Sequence, residues 1–185
     1  LSDAQQEFED IRGISVREVP LEVVDQEWVA DTWGTVSDSE LEELLRDENI
    51  YKALFLISPD ESLVDAKIDW TSSFRAAKWQ GKIYVVEENF DVTETTRATG
   101  SFVHELTHIM QDGYSLSTPA TFDASKALSA LKEGNATLMA DTSKNGGYVP
   151  LPADVVKPGS SGNLPDSVNK LNRFVYRYGL EFVKT

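Results

Sequence analysis

At 185 residues, 41% of them hydrophobic and 10% aromatic, the chain is long enough for one well-packed core and short for two, and its composition excludes a wholly disordered protein. No apolar run approaches the roughly 20 residues that span a bilayer, and the absence of cysteine excludes disulfides and thiolate metal sites, so a metal must be held by His, Asp, Glu or water. The net charge of -14 is uneven: residues 1–61 hold 17 acidic and 4 basic side chains against 14 and 13 in residues 62–185, an N-terminal surface that repels nucleic acid and anionic membranes and reads first as a solvated face.

In chain order, residues 2–12 read as a helix capped by Ser2 and stopped at Gly13, and Val16 to Val24 as the first strand, with Pro20 at an edge or end. Ser37 and Glu40 form a capping box that opens a helix to about Asp47. Tyr51 to Ile57 and residues 61–72 are expected to be helical. Phe74 to Trp79, a Gln80-Gly81 turn and Lys82 to Glu88 read as a β-hairpin. Asp91 and Glu94 form a second capping box before a helix over 93–111, which ends at Gly113. Phe122 to about Asp141 follows as a helix, then a Gly-, Pro- and Ser-rich segment over 142–167 too long for an ordinary connection, then a C-terminal helical pattern through Leu171, Phe174, Val175 and Phe182. The expected organisation is one domain over 1–185: helices and sheet to residue 90, two site helices over 91–141, the long loop over 142–167 and the last helix over 168–185.

The chemistry concentrates in Ser101 to Met110, SFVHELTHIM, where HELTH satisfies the HExxH pattern and contains both histidines of the chain. Four residues apart on a helix, His104 and His108 share a face and can grip one metal ion. Glu105, about 100° around the axis, can reach a metal-activated water without being a ligand. Phe102, Leu106, Ile109 and Met110 supply the apolar remainder, so the helix can be buried with its polar corner in a cleft. A catalytic zinc usually takes three protein ligands. Glu133 on the following helix is the best third, and Gly134 beside it suggests close helix packing near the site. Asp112, Asp123 and Asp141 compete for the role, Asp141 being better suited to orienting a histidine from behind. The oxyanion of a tetrahedral intermediate needs a further donor, for which Tyr176, Tyr178, Arg173, Arg177 and Tyr148 are candidates. Tyr178 shares an apolar stripe with Leu171, Val175 and Phe182 and reads as packing.

In these residues the sequence resembles a family of bacterial, often actinobacterial, zincin-like proteins with a HELTHALQDQ-type helix followed by an EGDAT-type helix; the corresponding text here is HELTHIMQDG and EGNAT. An IRG segment at Ile11 to Gly13, a KIYVV strand before the metal helix and a late YxxGxxFV segment from Tyr176 extend the likeness over most of the chain. Gly113 and Asn135 depart from the family's common Gln and Asp, sparing every proposed ligand. By analogy with gluzincins the resemblance implies zinc on His104, His108 and Glu133, Glu105 as the catalytic residue, and Tyr176 as the site tyrosine. Many members are exported or membrane-anchored, and a first residue other than Met fits a trimmed form, so an extracytoplasmic location is expected, secreted or anchored through a segment outside this chain; the cytoplasm is the alternative.

The expected fold is α+β and zincin-like, a small, mainly antiparallel sheet packed on the HExxH helix and the Glu-bearing helix. The expected function is zinc-dependent peptide-bond hydrolysis by a glutamate-activated water, acting on a peptide or protein that pairs along residues 83–87. The alternatives are a non-catalytic binding or surface protein on a zincin scaffold, and a latent peptidase whose 142–167 loop covers the cleft.

Overall fold

The computed structural model describes residues 1–117, 119–143 and 166–185, with the backbone alone at Ile68 and Asp69. The expectations for the 142–167 segment, including Tyr148, fall almost wholly outside the described residues. Ten principal elements are described: helices α1 (Ser2–Arg12), α2 (Gln26–Thr32), α3 (Asp38–Ala53), α4 (Leu63–Ser72), α5 (Thr95–Gln111), α6 (Phe122–Thr142) and α7 (Asp166–Val183), and strands β1 (Leu21–Val24), β2 (Ala76–Trp79) and β3 (Lys82–Val86). The class is α+β, mostly helical. No described helix is long and apolar enough to cross a membrane.

Local signals explain most boundaries. Gly13 ends α1 in the left-handed region at φ 67°, donating its N–H to Glu9. Ser37 and Glu40 complete the expected capping box of α3, which runs on to Ala53. The hairpin forms as read: Gln80 and Gly81 both take positive φ, 48° and 75°, which suits the two-residue turn closing Trp79 onto Lys82. Two cap assignments differ. Leu1, not Ser2, is the N-cap of α1, and Asp91 turns its carboxylate to the N–H and hydroxyl of Thr93, so α5 starts at Thr95 without a side-chain cap.

The sheet is mixed rather than mainly antiparallel. Its order is β1-β3-β2, with β1 parallel to β3 from Leu21 opposite Ile83 to Val24 opposite Val86, and β2 antiparallel to β3 from Ala76 opposite Val85. The first strand covers only Leu21–Val24 of the expected span. The segment expected to offer a free edge, 83–87, falls on the central strand, which ends at Val86 and is flanked by β1 and β2. Both edges of β3 are taken. The free edge nearest the site helix belongs to β2.

Alternation along β3 sorts the sheet into two faces. Ile83 and Val85 point inward, joining Ala4 and Phe8 of α1, Phe102, Val103 and Leu106 of α5, and Met139 of α6 in the main core. Tyr84 points outward, into an aromatic layer. Trp28 stacks on it at 5.0 Å, Trp33 and Trp79 meet it at 5.8 and 5.7 Å, and Phe74 links Trp33 to Trp70, so all four tryptophans lie in one layer. Tyr51, Ile57, Leu63 and Val168 form a smaller core that ties α3 and α4 to α7.

The helices that frame the site cross at two glycines. A Cβ built on Gly134 would collide with the backbone carbonyl of Gly179, and one on Gly179 with the carbonyl of Ala130. Backbone touches backbone here, the close approach that Gly134 suggested beside Glu133.

Candidate metal centre

Burial of its apolar side seats α5 against the sheet. Val103 and Leu106 are fully enclosed, His104 is 6% exposed, and the edge carrying His104 and His108 turns toward α6. The two imidazoles meet at 4.8 Å between ring centres, inclined by 77°. Glu133, on the turn of α6 that crosses α7, completes the group. Its Oε2 lies 3.2 Å from His104 Nε2 and 3.3 Å from His108 Nε2, and the two Nε2 atoms are 3.1 Å apart.

The three atoms form a nearly equilateral triangle of the size a metal ion would set. Tetrahedral ligands about 2.0 Å from a zinc ion lie about 3.3 Å from one another. Three donors, two imidazole and one carboxylate, occupy one face of such a tetrahedron and leave the fourth position open. Among the described residues, His104, His108 and Glu133 are the one group of three or more His, Cys, Asp or Glu side chains whose donor atoms converge in this way. The residues fit the ion.

Burial alone would push the His108 imidazolium down, but the Glu133 carboxylate bonded to it, with Glu105 nearby, holds its pKa up at about 9. Burial would raise the Glu133 carboxyl; hydrogen bonds from His104 and His108 outweigh that and hold it far below the ordinary carboxylate range. Glu105 moves the other way. Desolvation raises its pKa, only partly offset by the charges of His104 and His108. Two neighbouring carboxyls are thus driven apart, Glu133 held as an anion and Glu105 pushed toward its protonated form.

Glu105 is also held from the sheet. Arg75 O accepts from Val86 N, so strand alternation turns the Lys78 N–H to the free side of β2, where it donates to Glu105 Oε2 at 2.7 Å. The Lys78 side chain lies on the α5 side and its Nζ pairs with Asp112 at 2.5 Å. One residue therefore joins the edge strand to α5 at both Glu105 and Asp112.

The remaining candidates separate by contact. The Tyr176 ring stacks beside His104, 6.3 Å between centres and inclined by 24°, one turn before the Gly179 crossing. Tyr178 does not pack in the core: it is 56% exposed, lies against Phe174 and carries the Arg177 guanidinium over its ring. The buried side of α7 runs instead through Val168 and Leu180, leaving Phe182 exposed as well. Asp112 is committed to Lys78, and Asp123 is exposed on the first turn of α6. Asp141, expected to orient a ligand histidine, instead pairs with Lys184 at 3.4 Å, because it sits two turns beyond Glu133 near the end of α6. The group behind His108 is Gln111, whose Oε1 is 2.9 Å from His108 Nδ1. Sequence reasoning missed Gln111 and Lys78. Gln111 lies three residues after His108 and so on its face of the helix, a spacing that could have marked it.

No family model, no curated protein and no solved structure matches this chain.

Proposed function

We propose that this chain is a zinc-dependent peptide-bond hydrolase of the gluzincin type, related to the zincin-like family whose HELTHALQDQ-type and EGDAT-type helices it resembles. The observation that carries the reading is the convergence of His104, His108 and Glu133 donor atoms to 3.1–3.3 Å on two crossing helices, with Glu105 beside them. The three would hold zinc, which supplies Lewis acidity toward a carbonyl and acidification of water. Glu105 takes the proton from the attacking water and hands it to the leaving amine; its desolvated carboxyl and the Lys78 N–H suit it to holding that proton briefly at a fixed place. Tyr176, stacked beside His104, is the proposed donor to the oxyanion. An extended peptide would meet the outer side of β2, where the Lys78 N–H is already given to Glu105, rather than the enclosed β3. We extend the reading to an extracytoplasmic location, which cell fractionation tests.

Metal analysis and a peptide-library digest test the reaction. The purified protein should hold one zinc per chain and cleave peptides until a chelator is added. His104→Ala should lose both zinc and cleavage. Glu105→Gln should keep zinc and lose roughly 100- to 10,000-fold in rate, the usual contribution of a positioned general base. A wild-type protein without stoichiometric zinc sinks the proposal; one that holds zinc but cleaves no peptide in a chelator-sensitive way is a binding protein on the same scaffold.

A further inference from the structure

Gln111 is 5% exposed and spends its whole amide on two helices. Its Nε2 donates to the backbone carbonyl of Lys132 at 3.0 Å and to Asn135 Oδ1 at 3.3 Å, while Oε1 faces His108 Nδ1 at 2.9 Å. The orientation of the amide follows from chemistry. A backbone carbonyl can only accept, so the NH₂ group must face Lys132 and the amide oxygen must face His108. An amide oxygen can only accept in turn, so His108 Nδ1 must carry a hydrogen. In the neutral ring that leaves the Nε2 lone pair directed at the corner shared with His104 and Glu133.

The same side chain sets the second helix. Lys132 precedes Glu133 by one residue and Asn135 follows it by two, so both α6 acceptors of Gln111 flank the acidic ligand. We propose that Gln111 is the positioning residue of the metal centre: it fixes the tautomer of His108 and, through the turn from Lys132 to Asn135, the register at which Glu133 meets both imidazoles. The inference rests on the metal reading above and goes beyond it, since neither zinc ligation nor hydrolysis by itself requires a bridge between the ligand helices. Gln111 touches no reacting atom and acts through His108 and Glu133. Outer groups of this kind typically account for a 10- to 100-fold difference in metal affinity.

The test is zinc affinity of the full chain, by competition with a chromophoric chelator, alongside NMR of the His108 imidazole. Gln111→Met keeps the volume and removes every hydrogen bond. Its zinc affinity should fall roughly 10- to 100-fold, and the slowly exchanging Nδ1–H of His108, which the zinc-loaded wild type should show, should disappear. Gln111→Glu retains an acceptor for that N–H but has no hydrogen to give Lys132 or Asn135, so the Nδ1–H should persist while zinc affinity still falls about tenfold. A Gln111→Met protein that folds, by circular dichroism, and binds zinc within about threefold of wild type overturns the proposal. Should Gln111→Met fail to fold, the Glu variant decides: a zinc affinity within about threefold of wild type, or an unaltered chain lacking the Nδ1–H, overturns it equally. A wild type that takes up no zinc overturns the metal reading itself and is recognised before any variant is made.

Discussion

The corner between α5 and α6 and the helix α3 both carry many charged and polar groups, and they use them in opposite ways. On α3, Glu40 reaches Lys67 at 3.0 Å and Lys52 reaches Glu48 at 2.7 Å, with the Glu40 side chain half exposed and most of the other acidic residues of the helix facing water. At the corner, His104, Glu105, His108, Gln111 and Glu133 are wholly or largely withdrawn from solvent, and each has a partner on another element or within the cluster. Charge in water is cheap and locally replaceable; charge withdrawn from water must be arranged. The contrast separates a solvated face from a site, although the two have similar residue types in the sequence.

The sharpest way to break the contrast is to move the helices that frame the corner. Gly179→Val places side-chain atoms into the Ala130 carbonyl, and we expect a loss of at least about 3 kcal/mol, read as a urea midpoint. Leu106→Ala empties a fully buried position one residue from Glu105 and should cost about 2–5 kcal/mol, in the same measurement. Zinc at a hundred times its dissociation constant should stabilise the wild type by about 2.7 kcal/mol. Glu133→Gln should lose most of that gain in a thermal-shift comparison, since the third donor is weakened. The smallest effect belongs to α3. Hydrogen bonds from Lys67 and from Ser37 lower the Glu40 pKa from 4.5 to about 2. A lowered folded-state pKa adds stability above the unfolded value, lost as pH falls through the folded one. Glu40→Gln should therefore cost no more than about 0.5 kcal/mol at neutral pH after solvent screening, and its gap from wild type should close as pH drops from 4.5 toward 2. A larger gap would mean that α3 is more than a solvated face.

Much of the corner was legible because its signals are local. The i, i+4 spacing of His104 and His108 and the apolar residues between them need only helix geometry, and Gly134 announced a close crossing through what it lacks. The hairpin was equally readable from Gln80-Gly81. What escaped depends on contacts that spacing does not encode. The order β1-β3-β2 arises from pairing of strands about 60 residues apart, so the free edge could not be assigned from alternation within β3. Asp91 matched a capping box but found Thr93 two residues away, a nearer donor than the helix it was expected to cap. Asp141 was set aside by the path of α6, which carries it to Lys184, whereas Gln111, three residues after His108 on the same helix, was open to a spacing argument.

The aromatic layer on the outer face of the sheet has a practical consequence. All four tryptophans lie there, whereas both histidines lie at the α5–α6 corner on the inner side. Emission from indole thus reports one layer of the molecule and imidazole resonances report another. If urea dissolves both at one midpoint, the sheet and the corner melt as a single cooperative unit; if the two curves separate, the corner has a stability of its own that metal could raise without the sheet registering it.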